Sequence, residues 1–250
     1  MIHPNEGNRS NIDLLYQEAT DHFNRGDYTK AETLTRNVLT QNSNHPDANH
    51  LLGQIAIQCR QYADAIKLIE RATQLNPQQA IYYNTLSFAL YEEGRLDDAL
   101  LVFDKLLKQK PHSLDTLIKR SLLLRELGRP EEALTSCDKA IELNPNSSNA
   151  HFNRALALKE IGHLEDALAS CEHAINLNSN FMAAYNLSTL LLRNLGRVTD
   201  SLAACGEALR VQSCNPHAHW LLSGLQKAKD RNHIQAIVAC EGKVLSLIHI

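Results

Sequence analysis

The segment from Cys214 to His219 holds the residue types best suited to metal chemistry. It reads Cys-Asn-Pro-His-Ala-His, so that one thiol and the imidazoles of His217 and His219 fall within six residues. Thiolates and neutral imidazoles are the usual ligands of zinc, but a stable zinc site needs about four ligands in tetrahedral geometry. The sequence places no second pair of ligands beside this segment. We therefore expect no metal site and no other cofactor.

Three further cysteines could supply thiol chemistry, but their spacing favours a packing role. Cys137, Cys171 and Cys205 are 34 residues apart, and each follows a small residue by four positions. Because one helical turn beyond a buried residue lies the same buried face, we expect three buried free thiols. Successive units would hold these sulfur atoms too far apart for a disulfide, whose Cα atoms lie within ~7 Å. Free thiols fit a reducing, cytoplasmic location.

The chain contains no recognisable catalytic motif. It has no glycine-rich phosphate loop, no Gly-x-Ser-x-Gly elbow and no His-Glu-x-x-His pair. Its 25 basic and 28 acidic residues are interspersed and give a net charge of −3, without the basic face that nucleic-acid binding requires. No apolar run approaches the ~20 residues that span a bilayer, and the N-terminus lacks an apolar secretory signal. We expect neither an enzyme, nor a nucleic-acid-binding protein, nor a membrane protein.

The dominant feature of the chain is a repeat of 34 residues. Small residues recur with this period in two columns, twelve positions apart. The first column is Gly53, Ser87, Ser121, Ala155, Thr189 and Ser223, and the second is Ala31, Ala65, Ala99, Ala133, Ala167 and Ser201. A period of this length is typical of stacked helix–turn–helix units, each of which contacts chiefly its neighbours. Such an array provides extended surface and no central cavity, so binding is the expected activity.

Seven units, and hence fourteen helices, fit this period after a polar tail at residues 1–11. The units begin near Ile12, Pro46, Ala80, Leu114, Ser148, Met182 and Pro216, and the last is degenerate. Each should hold a first helix of about 14 residues, or four turns, and a second helix such as Pro130–Leu143. The turns between them carry Gly26, Gly94, Gly128, Gly162 and Gly196. Glycine adopts the left-handed turn conformation almost freely, so Arg60, which replaces it in the second unit, predicts a slightly different turn.

These columns resemble the pattern of the tetratricopeptide repeat (TPR) family. In the third unit they read Tyr83, Leu86, Ser87, Leu90, Ala99, Phe103, Leu106 and Pro111. The resemblance covers about residues 12–248. It implies an all-α, right-handed superhelical solenoid at residues 12–250, whose first helices line a concave groove for a peptide or helical segment of a partner protein. Two alternatives are a scaffold or regulatory portion of a larger enzyme such as a glycosyltransferase, and self-association through the terminal helix.

Two TPR subfamilies with a defined groove chemistry do not match this chain. The Lys, Asn and Arg clamp of chaperone-binding TPR domains finds a counterpart only at Asn153. The preceding unit has Ile118 and Leu122 at the clamp positions, and the following unit has Ala183 and Leu187. The asparagine ladder of O-linked N-acetylglucosamine transferases would occupy the column of Asn153, which holds one asparagine in seven units.

Positions 2, 5, 9 and 12 of each unit should face the groove if the opposite stripe packs on the partner helix. Position 5 contributes Asn84, Phe152, Asn186 and Trp220, position 9 contributes Phe88, Leu122, Leu156 and Leu190, and position 12 contributes Tyr91, Arg125, Lys159 and Arg193. Asn153, one position after Phe152, is also expected to bind the partner in the groove. We expect a protein segment to be held across the third to sixth units on the apolar residues of position 9, with the basic row secondary. The alternatives are that position 9 wedges between neighbouring helices and that the basic residues are solvated or locally paired.

Overall fold

The structure of the chain, a computed structural model, describes residues 4–225. This part of the chain forms thirteen helices and no strand. The prediction of an all-α helical repeat is therefore confirmed for these residues. The predicted fourteenth helix lies outside the described residues.

The chain divides into two compact units at helix α7, between Thr116 and Leu117. The first unit contains α1 (Pro4–Asn24), α2 (Tyr28–Gln41), α3 (Pro46–Gln58), α4 (Tyr62–Leu75), α5 (Ala80–Glu92) and α6 (Leu96–Gln109). Within it α1 packs on α2, α3 on α4 and α5 on α6, while α1, α3 and α5 are neighbours in that order. Helix α1 begins at Pro4, where a missing N–H costs nothing, so residues 4–11 of the predicted polar tail are helical.

The second unit contains most of α7 (Leu114–Glu126), followed by six further helices. These are α8 (Pro130–Leu143), α9 (Ser148–Ile161), α10 (Leu164–Leu177), α11 (Met182–Asn194), α12 (Val198–Val211) and α13 (Pro216–Leu225). Each helix from α8 to α13 packs on the next. The bounds of α8 are those predicted, because Pro130 opens the helix and Asn144 caps it through a bond from its N–H to the carbonyl of Ala140.

The two small-residue columns mark the places where helices cross most closely. Five alanines of the second column are 0% exposed, namely Ala31, Ala65, Ala99, Ala133 and Ala167. In the first column, a Cβ added at Gly53 would lie 2.5 Å from Cγ1 of Ile69, so only glycine fits between α3 and α4 without a shift. The prediction that these columns pack helix against helix is confirmed.

The cysteines of the 34-residue column behave as packing residues. Cys137, Cys171 and Cys205 are buried free thiols, as predicted. Burial raises the pKa of the Cys137 thiol to about 11 and the pKa of the Cys171 thiol to about 12. Since the thiolate is the reactive form, these two side chains are inert at neutral pH.

The five turn glycines and Arg60 all adopt the left-handed conformation. The φ angles of the glycines lie between 69° and 97°, and that of Arg60 is 57°. The Arg60 turn is also closed by the same bonds as the glycine turns, since Arg60 N–H donates to Ile57 O at 2.9 Å and Gln61 N–H to Ala56 O at 2.8 Å. The expectation of a different turn in the second 34-residue repeat is therefore wrong. The packing of α3 on α4 imposes the turn, and arginine adopts it despite its side chain.

We expect Arg60→Gly to raise the free energy of unfolding by about 1 kcal/mol, because a left-handed conformation costs residues with a Cβ about that amount. Arg60→Ala is the matched control, since it removes the same side chain but keeps the Cβ. Urea denaturation followed by helicity should show stabilisation in the glycine variant alone. Equal midpoints for the two variants would contradict a strained turn.

Candidate functional site

In the second compact unit, two of the residues predicted at position 5, Phe152 and Asn186, contact the segment that precedes the next first helix. The ring of Phe152 on α9 is half-buried, and its centroid is 4.9 Å from that of Phe181, which caps α11. On α11, Asn186 Oδ1 accepts a hydrogen bond of 2.9 Å from Asn215 Nδ2. The predicted groove residue Asn153, at position 6, is buried, with only 5% of its surface exposed. At Phe152 and Asn186, position 5 therefore joins neighbouring repeats, whereas Trp220 at the same position is exposed.

The predicted apolar run of position 9 divides into exposed and half-buried residues. Leu122 on α7 is 40% exposed. Leu156 and Leu190 are half-buried, and Leu156 packs against the core formed by α9, α10 and α11. Leu156 thus takes the wedging role, while Leu122 is accessible to a ligand.

The predicted basic row of position 12 is partly engaged by its neighbours. Arg125 Nε donates to Glu160 Oε1 at 3.0 Å, which neutralises one cation of the row. The guanidinium carbon of Arg193 lies 6.0 Å from the ring centroid of Trp220, in cation–π geometry. Trp220 itself is 58% exposed. At Arg125 the structure therefore shows the locally paired charge that was the alternative interpretation.

In the first unit, the corresponding face contains a cleft of about 280 Å³ between α1, α3 and α5. It is lined by Phe23, Gln54, Ile57, Gln58, Asn84, Thr85 and Phe88, and we call it the neutral cleft. Two of these residues, Asn84 and Phe88, are predicted site residues, and Phe88 is 48% exposed. Tyr91, the third prediction on α5, is also exposed.

The predicted site does not extend to the first two 34-residue repeats, so it misses most of the other lining residues. Position 12 of the first repeat is Phe23, and positions 9 and 12 of the second repeat are Gln54 and Ile57. The same columns, extended to the first two repeats, identify these three residues. Thr85 lies in the column of Asn153, two repeats earlier, so the spacing does contain a signal for it. Gln58 falls outside these columns, and the spacing contains no signal for it.

A buried histidine supports one wall of the neutral cleft. His50 on α3 is 6% exposed, and its Nε2 lies 2.9 Å from Thr85 Oγ1. Because the Thr85 hydroxyl donates to Ile81 O at 3.0 Å, it accepts from the Nε2–H of His50. Burial lowers the pKa of His50 to about 4, although the nearby carboxylate of Asp47 opposes this shift. His50 is therefore neutral at physiological pH.

The same wall contains a tyrosine–carboxylate pair. The hydroxyl of Tyr82, a fully buried residue on α5, donates to Oδ1 of Asp47 on α3. The ring of Tyr82 stacks against His50 with a centroid distance of 4.7 Å. Burial is the main cause of the raised pKa of Tyr82, and the bond to Asp47 adds to it. These contacts fix α3 against α5 on one side of the cleft.

The segment considered for zinc is engaged in other bonds. Cys214 is disulfide-bonded, and His219 Nε2 lies 3.0 Å from Ser213 O. The side chain of His217 lies outside the described part of the structure. Among the residues that the structure describes, no group of three or more His, Cys, Asp or Glu side chains is placed to hold a metal ion. None of the helices in residues 4–225 is long and apolar enough to cross a membrane.

Comparison with known proteins gives one family and several similar folds. Family models of the tetratricopeptide repeat match residues 22–87, 115–147 and 136–169. No curated protein sequence matches the chain significantly. The three similar solved structures described next are 18% identical or less, so they bear on the fold alone.

Three solved structures illustrate this similarity. A tetratricopeptide repeat protein from Parabacteroides merdae is 18% identical with a TM-score of 0.72, and the match covers 94% of this chain and 92% of that one. The pilF protein of Pseudomonas aeruginosa is 15% identical with a TM-score of 0.66, over 87% and 99% of the two chains. YrrB, described as a TPR protein with an unusual peptide-binding site, is 18% identical with a TM-score of 0.58, over 74% and 95%. The repeat columns, the helical hairpins and the family matches agree, and the chain belongs to the tetratricopeptide repeat family.

Proposed function

We propose that this protein is a non-catalytic adaptor that binds a peptide or helical segment of a partner protein on the first-helix face of its repeats. The observation that carries the proposal is the exposure of large apolar side chains on that face. Leu122 and Trp220 are exposed in the second unit, as are Phe88 and Tyr91 in the first. Accessible aromatic and aliphatic anchors of this kind supply most of the energy of protein interfaces.

The charges of the second unit favour a partner with acidic residues beside its apolar ones. Lys159 on α9 and Arg193 on α11 occupy position 12 of their repeats, which is predicted to face the groove together with Leu122 and Trp220. The pairing of Arg125 with Glu160 reduces the positive field, so we assign these charges a role in steering and not in anchoring. The peptide-binding site in the name of YrrB supports the same class of activity.

The experiment uses the two exposed anchors of the second unit. Phe152 and Leu156 are less suitable, because their truncation would also disturb packing between α9 and its neighbours. A partner captured by the full chain is identified by mass spectrometry, purified, and titrated calorimetrically. Leu122→Ala combined with Trp220→Ala should weaken its binding at least tenfold, since hot-spot truncations cost about 2 kcal/mol or more each.

The matched control replaces two exposed apolar residues on second helices of the same unit, Leu143→Ala with Val198→Ala. It should leave the dissociation constant within about twofold of the parent value, because truncations outside a hot spot are nearly neutral. A partner that binds the Leu122 and Trp220 variant as tightly as the parent would contradict the proposal. Equal weakening by both double variants would contradict it as well.

We also propose a reducing, intracellular location. The free thiols of Cys59, Cys137, Cys171 and Cys205 support it, because such thiols persist where disulfides are kept reduced. Cys214 is disulfide-bonded and does not follow the pattern of reduced thiols that this location predicts.

A further inference from the structure

The lining of the neutral cleft contains aromatic, aliphatic, hydroxyl and carboxamide side chains but no ionisable one. We propose that this cleft in the first unit binds an uncharged, extended stretch of a partner chain. Backbone amides of that stretch would bond to the three carboxamides of the cleft, and an apolar side chain would contact its phenylalanines. The inference rests on the proposed function and adds the chemical class of the ligand.

The three carboxamides suit a peptide backbone because each offers a donor and an acceptor in one plane, as a peptide group does. In the part of the chain that the structure describes, the side chains of Gln54 and Gln58 make no hydrogen bond to another protein group. Oδ1 of Asn84 is buried without a hydrogen-bond partner. A buried acceptor without a donor is costly, and a backbone N–H from a ligand would remove that cost. Since Asn84 is half-buried, its amide can turn about χ2 to meet such a donor.

The remaining polar group of the cleft is already bonded within the protein. The Thr85 hydroxyl donates to Ile81 O and accepts from His50, which is neutral. Ligand recognition therefore falls to the three carboxamides. A charged ligand side chain would lose water in this cleft without meeting an opposite charge, which is strongly unfavourable. This argues against both acidic and basic peptide segments.

The volume and the lining of the neutral cleft favour a ligand that places one or two residues of a longer peptide chain in it. Its volume of about 280 Å³ is smaller than the ~300–1,000 Å³ of pockets that enclose a whole small molecule. Phe23 and Ile57 are half-buried and Phe88 is exposed, so a large apolar side chain can contact all three. An extended segment leaves its N–H and C=O groups available to the carboxamides, whereas a helix pairs them internally.

The test uses an immobilised library of blocked nine-residue peptides with one fixed central residue in a background of uncharged residues. The full chain should bind pools with central Leu, Ile, Met or Phe at least about tenfold more than pools with central Asp, Glu, Lys or Arg, as expected for a desolvated apolar anchor. N-methylation of the backbone in the apolar pools should abolish this binding. Phe88→Ala and Asn84→Leu should each reduce it at least about fivefold.

Leu101→Ala is the matched control, because Leu101 is 64% exposed on α6 of the same unit and does not line the cleft. It should bind the apolar pools like the parent, and circular dichroism should show equal helicity for all variants. Selection of a charged pool, no selection among pools, or retained binding by Phe88→Ala would each overturn the inference. Sedimentation that shows a dimer broken by Phe88→Ala would also overturn it, since the occupant would be a second copy.

The proposed function and this inference fail in different ways. Apolar selection that survives Phe88→Ala but is lost in the Leu122 and Trp220 double variant overturns the neutral cleft and leaves the adaptor function intact. Apolar selection that is lost in Phe88→Ala supports the neutral cleft. If the affinity for a captured partner is at the same time unchanged in the Leu122 and Trp220 double variant, the proposed site in the second compact unit is contradicted.

Discussion

Ala133→Leu should lower the free energy of unfolding by about 1–3 kcal/mol, because overpacking a close helix crossing forces side chains and backbone apart. Ala133 on α8 is 0% exposed and belongs to the small-residue column that repeats through the chain. Three extra carbon atoms therefore have no space without movement of a neighbouring helix. Urea denaturation followed by circular dichroism measures the effect as a shift of the midpoint of the transition.

The matched control is Ala169→Leu, which makes the same chemical change at an exposed position on α10 of the same unit. It should alter stability by no more than about 0.5 kcal/mol, as surface substitutions usually do. Equal urea midpoints for Ala133→Leu and Ala169→Leu would mean that the small-residue column does not mark the helix crossings.

The helices of this fold are predictable from the sequence because their signals are local and repeated. Pro130 at the start of α8 and Gly128 before it are enough to place that helix. Arg60 shows where local signals fail. Its side chain disfavours a left-handed turn, but the packing of α3 on α4 outweighs that preference.

The candidate site is less predictable, because the repeat period indicates which way a side chain points but not which residues of the next repeat bury it. Phe152 faces the predicted side of α9, yet Phe181 from the segment before α11 lies over it. His50 occupies the same position of its repeat, and Tyr82 and Thr85 of the next repeat bury it. Contacts between successive repeats involve residues outside the repeat columns, so exposure had to come from the structure.

Acid should weaken the first unit through His50, by about 2 kcal/mol at pH 5 and about 3 kcal/mol at pH 4 relative to neutral pH. The pKa of His50 is lowered from 6.5 to about 4, chiefly by burial, so the folded state binds its proton less readily than the unfolded state. This contribution to stability is fully present above pH 6.5. It falls as the pH drops from 6.5 towards 4, because the unfolded chain becomes protonated while the folded chain does not.

His50→Gln is the variant that isolates this effect, since glutamine keeps an N–H donor for Thr85 but does not titrate. Carboxylates and other histidines titrate alike in both proteins and cancel in the difference between them. Urea denaturation at several pH values from 7.5 to 5 should therefore show the parent losing about 2 kcal/mol more than the variant. Parallel stability profiles would mean that His50 is accessible to protons in the folded chain. In that case its bond to Thr85 would not hold the wall of the neutral cleft.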